Sequence, residues 1–318
     1  MSKLNQILIV VLVIQIGLGV FTLWPQSAAT AAGEPLLNDF SADEVVELVI
    51  SDGDDNRIAL AKAGEAWVLP EAGDFPADGE KINPFLEKLG EVESGRLVTQ
   101  TEGSHTRLEV ATADFNRRLD ITRQGGQQDT LYVGSSAGAS ATHVRLNDQS
   151  EVYLTGAVTS FEANATASGW IDAQYFTIPQ STTTTITLKN ENGTFKFERV
   201  GEEWTLDDVA EGEIVSQSGV STLLTQSHAV RMVEPVGVVA EAGAIFDTPL
   251  ASITIEAADQ TYRLQLAALE NEEDGYYFVA SSSPYYVRLD KFTGDNFVTK
   301  TRADFLEMPS ETGEGGGN

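Results

Sequence analysis

The chain has 318 residues and carries 20 Lys and Arg against 48 Asp and Glu, which gives a formal net charge of -28 at pH 7. This acidity argues against binding to nucleic acids and to anionic lipid surfaces, because both attract clusters of Lys and Arg. It favours solubility, with recruitment of a basic partner as the alternative. The absence of cysteine excludes disulfide bonds, thiolate metal sites and the lipid attachment of a bacterial lipoprotein.

The N-terminal segment is apolar enough to cross a membrane. Residues 7–24 carry no charge, and as a helix rising about 1.5 Å per residue they would nearly span a hydrocarbon core of about 30 Å. Lys3 precedes this run, and no Lys or Arg follows it before Arg57. The positive-inside rule therefore predicts a transmembrane anchor at residues 1–25, with the bulk of the chain outside the cytoplasm.

Two interpretations of the anchor remain open. Residues 26–37 are rich in Ala, Ser and Thr and are expected to form a tether behind a retained signal anchor. Ala29, Thr30 and Ala31 form an A-x-A pattern, so a cleaved signal peptide is the alternative. Both interpretations export the protein, and retention predicts a single-pass protein of the cell inner membrane whose main part is periplasmic.

A long-period repeat divides the rest of the chain into two similar halves. Most of the paired landmarks are 135 to 137 residues apart, and one pair is 143 apart: Phe40 with Phe176, Trp67 with Trp204, Arg96 with Arg231, Val144-Arg145-Leu146 with Val287-Arg288-Leu289, and Trp170 with Phe305. We therefore predict two tandem duplicated domains, at residues 38–172 and 173–308, and a flexible tail at 309–318.

Each half is predicted to be a β-rich α+β domain. Hairpins are predicted around the polar turns 52–56 and 190–193, because β-branched runs flank residues that tolerate turn geometry. One amphipathic helix follows in each half, from Asp78 to Val92 and from Val215 to Ala229, with Asp78 and Ser216 as N-caps. More strands are predicted after each helix, so the expected architecture is an antiparallel sheet with a helix packed on it.

The order of these features is similar to that of a bacterial family of unknown function. A single N-terminal span is followed by a G-x-x-W-x-L motif (64–69), by the stretch FPADGEKINPFLEKLGEVESGRLV (75–98) and by a Val-Arg-Leu strand. This order resembles the domain-of-unknown-function family numbered 4340. The resemblance implies an envelope protein that is auxiliary to an ABC transporter of the gliding-motility type, and it implies no catalytic residues.

Residues 134–138 fit the G-x-S-x-G motif of a hydrolase nucleophile elbow, with Ser136 at its centre. An elbow leads from a strand into a helix, whereas residues 142–146 are predicted to form another strand. Ser136 is therefore expected to lie in a hairpin loop.

Asp52, Asp54 and Asn56 have the spacing that opens a calcium loop. Arg57 and Ala63, however, stand where such a loop requires Gly and Glu, so a structural hairpin turn is the favoured interpretation.

The histidines and tryptophans are expected to be structural. His105, His143 and His228 are predicted to lie in a loop, a strand and a helix end, without the spacing of a metal site. Trp67 and Trp204 share a place on a short strand and are interpreted as core anchors. We therefore expect no metal or cofactor.

Arg145 and Arg288 alternate with Val and Leu, so both side chains are expected to face solvent and to form salt bridges rather than to bind a ligand.

These features predict a binding or scaffold protein rather than an enzyme. Its expected partners are the membrane and, as the family resemblance implies, an ABC transporter permease or other envelope protein, with no nucleic acid. The alternative is an envelope hydrolase that uses carboxylates in a cleft between the domains.

Overall fold

The computed structural model of the chain describes residues 33–138 and 141–307. The first half contains nine strands and one α-helix: β1 (Val45–Asp52), β2 (Arg57–Ala63), β3 (Ala66–Leu69), β4 (Phe75–Pro76), α1 (Gly79–Gly90), β5 (Leu97–Thr99), β6 (Arg117–Arg123), β7 (Gln128–Ser136), β8 (Thr142–Leu146) and β9 (Val152–Thr155). The prediction of a β-rich α+β fold is confirmed.

The second half contains ten strands and two α-helices: β10 (Gln174–Thr177), β11 (Thr183–Asn190), β12 (Gly193–Val200), β13 (Glu203–Leu206), α2 (Gln217–His228), β14 (Ala229–Arg231), β15 (Glu234–Val238), β16 (Ala251–Ala257), β17 (Gln260–Ala268), β18 (Tyr276–Ala280), β19 (Tyr285–Leu289) and α3 (Lys291–Val298). Helix α3 was not predicted.

Two large antiparallel sheets have the same connectivity. The first has the strand order β4-β3-β2-β1-β6-β7-β8-β9-β5, and the second has the order β13-β12-β11-β16-β17-β18-β19-β15. Apart from β4, each strand of the first sheet therefore has a counterpart at the same place in the second. Both hairpins form at the predicted turns, since β1 pairs with β2 and β11 pairs with β12.

The predicted helices pack as expected. Asp78 accepts a hydrogen bond from the Glu80 amide at 2.9 Å, and Ser216 accepts one from the Gly219 amide at 3.2 Å, which confirms both N-caps. The buried face of α1 and the buried face of α2 join the same hydrophobic core as the two large sheets: Ile82, Phe85, Leu86 and Leu89 in α1, and Val220, Leu223 and Leu224 in α2.

Each helix start is also tied to the end of its own half. The Asp78 amide donates to the Trp170 carbonyl at 2.7 Å, and the Ser216 amide donates to the Phe305 carbonyl at 2.9 Å. Trp170 and Phe305, which occupy equivalent places in the repeat, therefore each accept a hydrogen bond from the N-cap residue of the helix in their own half.

Two landmarks of the repeat were aligned wrongly. Arg96 immediately precedes β5, whose counterpart is β15, whereas Arg231 ends β14, so these two arginines do not correspond. Arg145 lies on β8, whose counterpart is β18, whereas Arg288 lies on β19, whose counterpart is β9. Each sheet has one Val-Arg-Leu segment, and the positions of these two segments in the shared strand order differ by one strand. Short apolar strands with similar composition allow such a slip, because their pattern does not specify which strand of a meander they form.

The predicted anchor lies outside the described residues, as do most of the tether and the tail. Within 33–138 and 141–307, no helix has the length and apolar character needed to cross a membrane. The last residues assigned to the tether pack on the first half instead: the Leu36 amide donates to the Val92 carbonyl at 2.7 Å, and Pro35 bridges Glu93. Residues 35 and 36 therefore pack as part of the first half.

The two halves are in contact through the outer strand β15. It packs against two short 3₁₀ helices of the first half, Pro70–Ala72 and Ala167–Gly169. Nearby, the Phe75 ring meets the Tyr285 ring edge-on at 4.9 Å between centroids. Gly73 has a φ of 68°, and a Cβ atom on this residue would lie 2.9 Å from Cγ1 of Val238. Glycine is therefore the residue that suits this position.

Candidate functional site

The two tryptophans of the repeat are core anchors, as predicted. Trp67 and Trp204 are both buried. The Trp67 indole donates to Asn83 of α1 at 3.0 Å, whereas the Trp204 backbone exchanges hydrogen bonds with the side chain of Gln217 in α2. Each tryptophan strand is therefore fastened to the helix of its own half, and neither ring is free to stack on a ligand.

The Asp52 carboxylate is used by its own hairpin turn. One oxygen accepts hydrogen bonds from the Asp54 amide at 2.9 Å and the Asn56 amide at 3.0 Å, and the other accepts one from the Asn56 side chain. Burial raises the pKa of Asp52, but these hydrogen bonds outweigh it and hold the pKa below the usual range. The prediction of a structural turn is confirmed. Among the described residues, no three His, Asp or Glu side chains are grouped to hold a metal ion.

Ser136 ends strand β7 and lies in the hairpin before β8, as predicted. Its hydroxyl donates to the Gly138 carbonyl at 2.8 Å. The neighbouring Ser135 hydroxyl lies 3.3 Å from Nδ1 of His143, but that nitrogen is also 2.8 Å from the Ser135 carbonyl. A carbonyl can only accept, so Nδ1 carries a proton and is not a base for the hydroxyl.

The other two histidines have structural partners. His105 Nε2 lies 3.0 Å from the Ser150 carbonyl. His228, at the end of α2, is buried between Thr183 and the Leu224 carbonyl, each 2.7 Å from a ring nitrogen. Burial lowers the pKa of His228, although the bond to Leu224 opposes this shift.

The prediction that Arg145 faces solvent was wrong. Its side chain is 2% exposed, and its guanidinium donates to the Val110 carbonyl at 2.6 Å and lies 4.1 Å from the centroid of the Tyr132 ring. Residues 100–116 fold over this face of the sheet and form a second small core with Leu108 and Val110. Arg145 thus ties this segment to the sheet through the Val110 carbonyl. The packing of the segment had no periodic signal in the sequence.

Arg288 behaves as predicted. Its Nε donates to Glu234 at 2.7 Å, and its side chain is 26% exposed. This ion pair joins β19 to the outer strand β15.

An open cleft lies between helix α1 and the connection that follows β9. Its volume is about 400 Å³, and its lining residues are Lys81, Pro84, Phe85, Lys88, Phe161, Glu162, Asn164, Gly169 and Trp170. We call it the helix cleft. Phe85 and Trp170 form its apolar floor, with their rings edge-on at 5.1 Å. The Trp170 indole donates to the Asn164 carbonyl at 2.7 Å, which fixes the floor.

Phe161 stands at this cleft with 89% of its surface exposed. The loop that carries it is held by Glu162, which accepts hydrogen bonds from the Thr159 amide at 3.0 Å and hydroxyl at 2.8 Å and pairs with Lys88. Burial raises the pKa of Glu162, yet the bonds from Lys88 and Thr159 outweigh it and lower the pKa. Glu162 therefore favours the ionised form, in which it holds this loop to Lys88.

The helix cleft was missed by the sequence analysis. Its lysines are spaced seven residues apart on α1, where they read as an ordinary polar face. The available signal was Phe161 itself, a single large aromatic residue in the polar run Thr159-Ser160-Phe161-Glu162.

A smaller cavity of about 190 Å³ lies at the contact between the halves and includes Glu71 and Glu234. These are the carboxylates that the hydrolase alternative would use. Each is engaged by an arginine, Glu71 by Arg57 and Glu234 by Arg288. Among the described residues, the carboxyl groups with a displaced pKa all have it lowered: Asp52, Glu162, Glu213, Asp295 and Asp304.

Comparison with known families decides the assignment that the sequence pattern suggested. The family model for Domain of unknown function (DUF4340) matches residues 67–244, more than half of the chain. The chain belongs to the DUF4340 family. Comparisons with curated proteins and with solved structures returned no match. The DUF4340 match begins at Trp67 on β3 and extends beyond β15, so it spans the junction of the two halves.

Proposed function

We propose that this DUF4340 protein is a membrane-anchored, extracytoplasmic binding or scaffold protein, auxiliary to an ABC-transporter-type envelope complex. Residues 1–25 would be the single span in the cell inner membrane, and the two domains, duplicated from one ancestral unit, would lie in the periplasm. The uncharged run at 7–24 and membership of the family support this proposal. The matched strand orders of the two sheets support the duplication.

The helix cleft is the surface that would bind a partner, and the exposure of Phe161 carries this assignment. A phenylalanine held in water is unfavourable by about 2 kcal/mol relative to a buried one. Exposed aromatic side chains beside a fixed apolar floor are typical of binding hot spots. Lys81 and Lys88 lie at the rim, but each is paired with a carboxylate, Asp78 and Glu162. The preferred ligand would therefore be an apolar segment on a permease or another envelope protein.

A pull-down from detergent-solubilised membranes tests this function. The tagged full-length protein should recover integral transporter subunits, and Phe161→Ala should reduce recovery at least tenfold. Phe292→Ala is the matched control, because Phe292 is 80% exposed but lines none of the cavities described above. Both substitutions should leave the melting temperature unchanged, since exposed side chains contribute little to stability. Equal recovery by the Phe161 and Phe292 variants, or no reproducible partner, would refute the proposal.

A further inference from the structure

The contact between the two halves has two sides. One side is the outer strand β15 of the second half, and the other is the surface formed in the first half by Pro70–Ala72 and Ala167–Gly169, here called the receiving surface. Pro235 of β15 and Ala72 of the receiving surface are both buried and line the same cavity. The contact therefore includes buried apolar residues from both sides.

Each side has a counterpart in the other half. The counterpart of β15 is β5, which is likewise the outermost strand beside the last strand of the meander. The counterpart of the receiving surface is formed by residues 207–214 and the 3₁₀ helix Arg302–Phe305, here called the free surface. Arg302 joins its two parts by donating to the Asp208 carbonyl at 2.7 Å and by pairing with Glu213.

Both counterparts expose apolar side chains to water. Leu97 of β5 is 51% exposed and Val209 of the free surface is 39% exposed. Leu97 corresponds to Pro235, because the two residues pair with equivalent positions of the last meander strand, Tyr153 in β9 and Val287 in β19. Val209 corresponds to Ala72 at the 137-residue spacing that also separates Trp67 from Trp204.

Two further exposed residues extend these apolar spots. Val98 adjoins Leu97 on β5, and Ile214 ends the 207–214 segment of the free surface. Exposed apolar side chains on a sheet edge are a common site of association, because an outer strand also presents unpaired backbone groups.

Charges at the two counterparts are complementary. Asp207, Asp208 and Glu211 lie in the free surface, and Arg96 immediately precedes β5 with its side chain exposed. A docked β5 would bring this guanidinium towards the acidic segment. Such charge pairing fixes the orientation of a contact more than it adds affinity.

We propose that β5 of one copy of this protein docks on the free surface of a second copy, and so repeats between chains the contact that joins the halves within one chain. The two sides of this contact are different surfaces, so the interaction is heterologous and continues from copy to copy as an open array. This self-association uses neither Phe161 nor the helix cleft and is therefore independent of the proposed partner binding.

Cross-linking between cysteine variants of the full-length protein tests this arrangement, because the natural chain contains no cysteine. Leu97→Cys and Val209→Cys chains, one with a size tag, would be mixed in detergent and treated with a mild oxidant. A disulfide requires the two Cα atoms to approach within about 7 Å. Salt of about 0.15 M, where the screening length is about 8 Å, limits repulsion between the acidic copies.

The mixed pair should give a product of two chains at least ten times faster than the control pair Leu97→Cys with Val200→Cys. Val200 is an exposed valine at the end of β12, outside the free surface. A chain carrying both Leu97→Cys and Val209→Cys should form a ladder of dimers, trimers and longer products. Equal rates for the two pairs would overturn the proposal, as would a double variant that links only within itself.

Discussion

The two halves share one strand order but cover their sheets in different ways. In the first half, residues 100–116 fold back over the sheet and form a small second core with Leu108 and Val110 around the buried Arg145. In the second half, the corresponding connection, residues 239–250, forms no such core, and the place of Arg145 is taken by the buried Val279 of β18. The same sheet therefore tolerates a buried cation only where a loop supplies carbonyl acceptors.

The two sheets also differ at the edge formed by the tryptophan strand, β3 in the first half and β13 in the second. In the first half β4 pairs with the outer side of β3. In the second half the side chain of Gln217 takes that role, because its amide binds both the N–H and the C=O of Trp204 at 2.8 and 2.9 Å. A single side chain can thus replace a short strand as protection for an edge.

The largest effect is expected at the feature that the halves share. Trp67→Ala and Trp204→Ala should each lower the free energy of unfolding by about 3–5 kcal/mol, because each removes a buried aromatic side chain from the core. Trp67→Ala should cost more, since it also leaves Asn83 without its indole partner. Denaturant titration followed by circular dichroism measures both values, and a loss below about 1 kcal/mol for either would contradict its role as an anchor.

Substitution of Arg145 in the first half should destabilise the protein more than substitution of Arg288 in the second half. Arg145→Met should lower the free energy of unfolding by about 2–4 kcal/mol, because it leaves buried carbonyls such as that of Val110 without a donor. Arg288→Met should cost less than about 1 kcal/mol, because its ion pair with Glu234 is partly exposed. Similar losses in the two variants, compared in one denaturant series, would show that the covering segment does not depend on Arg145.

A smaller effect is expected at the second-half edge. Gln217→Ala should destabilise the protein by about 1 kcal/mol, the net value of its hydrogen bonds to Trp204. Ser221→Ala, on an exposed turn of the same helix, is the control and should be neutral or slightly stabilising. Thermal unfolding would distinguish the two variants. Equal melting temperatures would show that Gln217 does not stabilise the edge at Trp204.

The smallest expected effect is a pH dependence of stability that arises from His228 at the end of α2. Helix α1 of the first half contains no histidine. Burial lowers the pKa of His228 in the folded state. Below about pH 6.5 the unfolded chain therefore binds a proton more readily than the folded chain, so stability falls as the pH decreases. His228→Gln should flatten this fall between pH 7 and pH 5 in melting curves, whereas parallel curves would exclude His228 as its source.

The sequence predicted what local patterns encode. Both hairpins, both N-caps and the buried tryptophans follow from turn residues, helix periodicity and a repeated motif, and the family assignment follows from their order. The burial of Arg145 could not be predicted, because it depends on a non-periodic loop that reaches the sheet from distant residues. The helix cleft was missed for a related reason: Phe161 and the lysines of α1 meet only in the folded protein, some 70 to 80 residues apart in the chain.

The proposed function requires that the two domains lie outside the cytoplasm and remain attached to the membrane. Because the chain has no cysteine, a Val200→Cys variant can be treated with a membrane-impermeant maleimide in intact spheroplasts, and the labelled protein can be followed through an alkaline wash of the membranes. We expect the same labelling rate before and after lysis, and we expect the labelled full-length chain to stay in the membrane pellet. Labelling only after lysis would contradict the account.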